Sequence, residues 1–230
     1  MPEPAARLSI IVPVLNESSA IVPSLTALAP LRARGAEVIV VDGGSADDTA
    51  ALAKPLSDFV ITSARGRALQ MNAGAAMAGG DVLLFLHADT RLPPEADALI
   101  HDGLARSPRA WGRFDVTIEG SHPLLPVVAA FMNARSRFTG IATGDQAMFM
   151  TRGAFAAVGG FPEIALMEDI TLARHLRRIS APLCLRARVA TSGRRWERRG
   201  VVRTILLMWR LRLAYFFGAK PESLARRYDA

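Results

Sequence analysis

One cysteine in 230 residues, Cys184, leaves the chain unable to form an internal disulfide. That excludes the disulfide-stapled class of secreted domain and suits a reducing compartment. Cys184 lies in the apolar run Pro182–Leu185 and is expected to be a buried core residue rather than a nucleophile. A signal-peptide pattern is also lacking. Arg7 precedes only the short apolar run Leu8–Leu15, which Pro13 interrupts and no small-residue cleavage site follows. The expectation is a cytoplasmic protein. There are no internal repeats and no low-complexity tract, and no basic stretch interleaves with aromatics or reads as helix-turn-helix, so nucleic acid is not an expected partner. Acids are scarce at one end. Residues 171–230 hold fifteen Lys and Arg against three acids, or +12, so the net +7 of the whole chain leaves the first 170 residues at −5. This asymmetry points to an anionic partner near the C-terminal end: a phosphate-bearing ligand, an acidic membrane surface or, on charge alone, nucleic acid.

What is present is a large apolar fraction. Half the residues are hydrophobic, enough for one sizeable domain with an extension. The organising stretch is Val38–Thr49, VIVVDGGSADDT. Its continuous β-branched run reads as a strand buried on both faces of a parallel sheet, which puts Asp42 at the strand's carboxyl end, where open α/β sheets bind ligands. Ser45 reads as the N-cap of a helix starting at Ala46, with Asp48 completing a capping box. Leu8–Val14 and Asp81–Leu86 read as two more buried strands. The first runs into Asn16, Glu17 and Ser18; the second runs into His87, Ala88 and Asp89. Two acid-bearing strand ends can converge on one crevice. A divalent cation on a diphosphate needs only one or two protein carboxylates, a requirement Asp89 meets, with His87 as a second candidate ligand.

Further along, a helix capped by Ser18 or Ser19 should run to about Arg34, and Asp58–Thr62 should be a third strand. Arg65 and Arg67 stand at the start of a helix within Ser63–Gly80, where the dipole disfavours cations unless an anion binds. Pro93-Pro94 opens a helix to about Arg106. Trp111–Ile118 and Asp145–Thr151 read as strands, and His122–Phe138 as a helix. Glu168 and Asp169 open the helix Ile170–Ile179, where first-turn acids are ordinary dipole partners; Leu183–Ala190 is a last strand. Val201–Phe217 is apolar but carries Arg203, Arg210 and Arg212, of which Arg212 lies nearly opposite the other two on a helical wheel. It is too charged for a simple spanning helix. Packing on the domain, pairing with a second copy, and lying on the inner face of an anionic membrane all remain open for residues 200–220.

These residues together resemble glycosyltransferase family 2, nucleotide-sugar-dependent enzymes of the GT-A type, and most of all its compact bacterial radical-SAM/selenodomain-associated subgroup. The resemblance covers about Leu8 to Trp196. SIIVPVLNE resembles the family's opening strand, and VDGGSADDT its VDDGSxDxT, with Gly43 in place of the second acid. RGRALQMNAG resembles its basic-AxNxG helix, and HAD at 87–89 stands where the family has DxD. GGFPE at 159–163 and MED at 167–169 resemble its acceptor-side motifs, and SGRRW at 192–196 its arginine-tryptophan motif. The implied fold is a three-layer α/β domain over residues 1–196 with a mostly parallel central sheet, followed by a helical extension over 197–230. The implied activity is inverting transfer of a sugar from a nucleoside-diphosphate sugar, with UDP the commonest nucleotide, to an unidentified hydroxyl acceptor, assisted by Mn²⁺ or Mg²⁺. The resemblance places Pro13, Asn16, Glu17, Asp42, Ser45, Arg65, Arg67, Asn72 and Asp89 on the nucleotide, with Asp89 and His87 toward the metal. It gives the general base to Asp169, with Glu168 as the alternative, and sets Arg195 and Trp196 at the diphosphate and acceptor. A non-catalytic nucleotide-binding or scaffold protein is the competing class, because Gly43 and His87 depart from the pattern. A sugar nucleotidyltransferase is disfavoured, since the first strand runs into Leu15-Asn16-Glu17 rather than a glycine-rich basic loop.

Overall fold

The computed structural model describes residues 7–229. The first half alternates strand and helix: β1 (Leu8–Val14), α1 (Ser18–Thr26), α2 (Ala29–Ala33), β2 (Glu37–Asp42), α3 (Thr49–Ala53), β3 (Phe59–Thr62), α4 (Arg67–Met77) and β4 (Val82–Phe85). Then come β5 (Thr90–Arg91), α5 (Ala96–Ala105), β6 (Trp111–Glu119), α6 (Leu125–Thr139), β7 (Phe149–Thr151), α7 (Arg152–Ala157), α8 (Glu168–Leu176) and β8 (Leu183–Ser192). Three helices close the chain: α9 (Arg194–Arg199), α10 (Val201–Phe216) and α11 (Pro221–Asp229).

All eight strands form one sheet in the order β3-β2-β1-β4-β7-β6-β8-β5. The half from β3 to β4 is parallel throughout; β7 pairs antiparallel with both β4 and β6, and β8 returns parallel to β6. Side-chain alternation divides the apolar strands between two cores. Ile10, Val12, Val38, Val40 and Leu84 face one layer, while Ile11, Ile39, Val41, Leu83 and Phe85 face the other with Met71, Phe161 and Leu172. A third cluster joins Met167 and Ile170 at the start of α8 to Leu211 of α10 and Leu224 of α11. The C-terminal helices therefore pack onto the domain beside the acids of α8.

Several local expectations are corrected. The helix after β1 is two helices, because Pro30 has no N–H to donate to Thr26 and begins a new helix instead. Neither Ser18 nor Ser19 caps; the first position belongs to Glu17. Ser45 is not an N-cap. Its hydroxyl donates to Asp42, and α3 starts only at Thr49, whose N–H is taken by the Asp47 carboxylate at 3.1 Å. Asp145 lies in a 3-10 turn, Gly144–Gln146, rather than a strand, because the Gln146 N–H bonds the Thr143 carbonyl at 2.9 Å and the Gln146 side chain accepts the Thr143 N–H at 3.4 Å. Cys184 is half-buried, not buried.

Candidate active site

The loops after β1 and β2 are tied together by Asn16, which adopts a left-handed φ of 54°. Its side-chain oxygen accepts the Ala46 N–H at 2.8 Å, and its own N–H donates to Ser45 Oγ at 2.9 Å. Asp42 is buried and accepts from the Gly44 and Ser45 N–H groups at 3.1 and 3.0 Å as well as from the Ser45 hydroxyl. Its carboxylate thus shapes the loop that faces the crevice. Gly43 is explained by its neighbour. A Cβ there would meet the Gln70 amide at 3.0 Å, and that amide donates to the Val14 and Val41 carbonyls, pinning the ends of β1 and β2 together.

Four of the acids expected from the sequence fall in two pairs. Glu17 and the exposed Asp89 lie close enough to repel. Burial first and Asp89 second raise the Glu17 pKa, against Arg194, at 3.9 Å, and Arg195. Glu168 and Asp169 occupy the first turn of α8, the former buried and 3.9 Å from Arg67. Burial, then the neighbouring Asp169, push the Glu168 carboxyl up, opposed by Arg67. Asp169 is held by two N–H donors, Gly144 at 2.9 Å and Ile170 at 2.7 Å. Arg67, Met71, Phe85, His87, Glu168 and Asp169 line one narrow pocket.

The sequence left Asp145 out of the site. Its carboxylate sits 3.2 Å from His87 Nδ1. Burial raises its pKa, but the His87 hydrogen bond and charge, with Arg67 and Arg212, outweigh that and hold it below the ordinary range. The far edge of the His87 ring rests on Gly144, at the point where any Cβ would clash with Nε2. His87 is thus bonded at Nδ1 and packed against Gly144 at its Nε2 edge. A faint signal for this cluster existed in the sequence, a glycine and an acid side by side in an otherwise apolar stretch.

The other expected residues fall in different places. Asn72 uses both ends of its amide on the Phe161 backbone, donating to the carbonyl at 2.8 Å and accepting the N–H at 2.9 Å, so it braces the Gly159–Phe161 loop. Arg65 is exposed, and Pro13 lies within β1. Arg195 lies over the Tyr228 ring at 5.0 Å and hydrogen-bonds its hydroxyl. Burial, then Arg67 and Arg199, lower the Arg195 pKa. Trp196 is partly buried against the main core.

Comparison with known proteins follows the same lines. The family model for glycosyl transferase family 2 matches residues 9–158, most of the chain. The chain belongs to glycosyltransferase family 2. Among its relatives is the undecaprenyl-phosphate 4-deoxy-4-formamido-L-arabinose transferase of Yersinia pestis, 33% identical over 111 residues, or 43% of this chain. The match spans only about a third of that relative's length, 34%. Solved structures with the same GT-A fold include S. aureus TarS residues 1–349 in complex with UDP-GlcNAc. It has a TM-score of 0.64 at 17% identity, covering 81% of this chain and 58% of that one. A Pyrobaculum calidifontis mannosyltransferase in complex with GDP-Man and Mn²⁺ has a TM-score of 0.63 at 22% identity, covering 91% and 61%. Glucosyl-3-phosphoglycerate synthase of Mycobacterium tuberculosis, in complex with Mn²⁺, UDP and glucosyl-3-phosphoglycerate, has a TM-score of 0.61 at 17% identity, covering 81% and 71%.

The donor atoms of this family 2 chain bear on what metal it could hold. Among the described residues no group of three or more His, Cys, Asp or Glu side chains is placed to cage a cation. The exposed Asp89 carboxylate nevertheless fits a cation that arrives on a diphosphate and takes most of its ligands from phosphate and water. His87 meets Asp145 through Nδ1 at 3.2 Å, and its Nε2 edge packs against Gly144.

Proposed function

We propose that the protein transfers a sugar from a nucleoside-diphosphate sugar to a hydroxyl acceptor, with inversion at the anomeric carbon and a divalent cation on the diphosphate. The observation that carries this reading is that Arg67, His87, Glu168 and Asp169 line one pocket, while Arg195 feels the charges of both Arg67 and Asp89. UDP-, UDP-GlcNAc- and GDP-Man-bound structures on the same fold support a nucleotide-sugar donor, and UDP is the first nucleotide to test.

In this reading the Asn16–Ser45 loop pair and Asp42 frame the nucleotide. Asp89 would hold the cation, Mn²⁺ or Mg²⁺, which neutralises the diphosphate as it departs. Arg67 and Arg195 offer guanidinium groups to the same developing charge. Asp169, fixed by two N–H groups, accepts the acceptor's proton as its oxygen bonds the anomeric carbon; Glu168 beside it is the alternative base. For the acceptor side, the outer face of α10 supports contact with an anionic membrane. Val202, Leu206, Trp209, Leu213 and Phe216 recur at alternating four- and three-residue steps and are all exposed, Trp209 at 66%. Arg203 and Arg210 flank them. Clustered positive charge favours lipid headgroups over a second, equally basic copy of the same helix. A relative named for undecaprenyl-phosphate supports an acceptor at a membrane. Among the described residues, no helix is long and apolar enough to cross one.

Calorimetric titration of UDP, GDP and dTDP, each with Mn²⁺, Mg²⁺ or EDTA, tests the reading. One nucleotide should bind, more tightly with metal, and the metal-dependent gain should disappear in Asp89→Ala. A folded protein that binds none of the three would instead favour the scaffold reading.

A further inference from the structure

Two arginines behind the crevice lack partners that their burial demands. Arg135 comes from α6 and Arg212 from α10, far apart in sequence. Nε and Nη2 of Arg135 and Nε of Arg212 are buried with no hydrogen-bond partner among the described residues. A buried N–H without an acceptor is costly, and two neighbouring guanidinium charges add repulsion. The strain registers on Arg135, whose pKa falls to about 10 through burial, then Arg212, with Arg113 adding and Asp169 partly offsetting. The acids that feel the pair are the ones at the crevice. Asp169 acts on Arg135, and Arg212 helps hold Asp145 ionised. Arg113, the third arginine of this region, bonds Asp115 and the Asn133 carbonyl, and only its Nε is left without a partner among the described residues.

An anion with several acceptor oxygens answers all of this at once, because phosphate takes guanidinium N–H groups in pairs and cancels their repulsion. Arg67 already faces Glu168 at 3.9 Å and Arg195 bonds the Tyr228 hydroxyl, whereas Arg135 and Arg212 keep buried N–H groups without an acceptor among the described residues. We propose that Arg135 and Arg212 bind a phosphate group of the acceptor, so that the enzyme selects an acceptor whose hydroxyl and phosphate lie a few bonds apart. This rests on the transferase reading above. The acceptor oxygen bonds the anomeric carbon while the bond from that carbon to the diphosphate breaks. The hydroxyl proton passes to Asp169, and the nucleoside diphosphate leaves with the electron pair. The acceptor phosphate stays on the two arginines and takes no covalent part.

The same chemistry could reach the site as a soluble phosphomonoester or as a lipid headgroup, and two probes separate these sources. Binding of sn-glycerol 3-phosphate is measured by calorimetry with UDP and Mn²⁺ present, and binding of phosphatidylglycerol vesicles is compared with phosphatidylcholine vesicles by co-sedimentation. Each probe carries a hydroxyl near a phosphate. In Arg135→Gln and Arg212→Gln, the affinity for whichever probe binds should fall about 10–100-fold, the worth of charge-assisted hydrogen bonds. UDP affinity should stay within about two-fold of the parent. Glycerol phosphate binding alone indicates a soluble acceptor, and vesicle binding alone a lipid one. Equal affinities in parent and variants overturn the proposal, as does failure of both probes while UDP binds. A fall in UDP affinity without a fall for either probe assigns the arginines to the donor and also overturns it. If UDP itself does not bind, the transferase reading fails instead. Should the glutamine variants not fold, thermal denaturation of the parent with inorganic phosphate decides. A saturable rise in Tm that glycerol phosphate does not add to supports the site, and no rise removes it.

Discussion

At the scale of single residues, the site depends on how each carboxylate is held. Asp169 accepts two backbone N–H groups. Asp169→Asn keeps the shape but removes the proton acceptor, so turnover should fall about 10²–10⁴-fold while UDP affinity holds; steady-state kinetics beside calorimetry measures both. Gly144 is wedged between His87 and the Asp169 carboxylate. Gly144→Ala should push the His87 ring away from Asp145 and cost about 1–3 kcal/mol of stability, as overpacking does, visible in chemical denaturation. Glu168 gives a pH signature. Its pKa is raised above 4.5 by burial and Asp169, so its contribution is fully present while it is protonated, below 4.5, and is lost as pH rises through the folded value. Glu168→Gln should therefore melt higher than the parent at pH 7 and alongside it at pH 4. Asp42, Asp89 and Asp169 stand out in the sequence because each closes a recognisable strand end or opens a helix. Asp145 does not, because its role is set by His87, a residue distant in the chain that only the fold brings to it.

At the scale of elements, the strands were the legible part. β1 begins and ends where its apolar run does, and β2 and β4 differ from expectation by a residue or two at their ends. Continuous β-branched runs buried on both faces carry their own boundaries. The misplacements lie where side chains compete with the backbone: Ser45 bonding Asp42 in place of a helix end, Pro30 dividing a helix, and Thr143 with Gln146 winding a turn out of an expected strand. α10 was half legible. Its apolar stripe is visible in the sequence, and Arg212 stands out as the residue that spoils it. The inward turn of that arginine becomes clear only once α10 is seated against α8. The stripe carries its own prediction. Replacing Trp209 and Leu213 together with Glu should reduce co-sedimentation with anionic vesicles by about tenfold or more, given two lost apolar anchors and two added repulsions. Unchanged sedimentation would leave α10 without a membrane role.

For the whole molecule, the C-terminal helices belong to the active domain rather than trailing from it. Leu211 and Leu224 are buried against Met167 and Ile170, the residues that flank Glu168 and Asp169. Leu211→Ala should cost about 2–5 kcal/mol of stability, read by urea denaturation, and should lower turnover as well, because the first turn of α8 loses its backing. Besides the β4–β7 pairing, α4 is tied to the loop after α7 by the Asn72 amide on the backbone of Phe161. Both of its bonds address main-chain atoms, so the clamp does not depend on which side chain follows the two glycines. The latch thus holds the loop by its main chain and does not read the identity of the side chain at position 161.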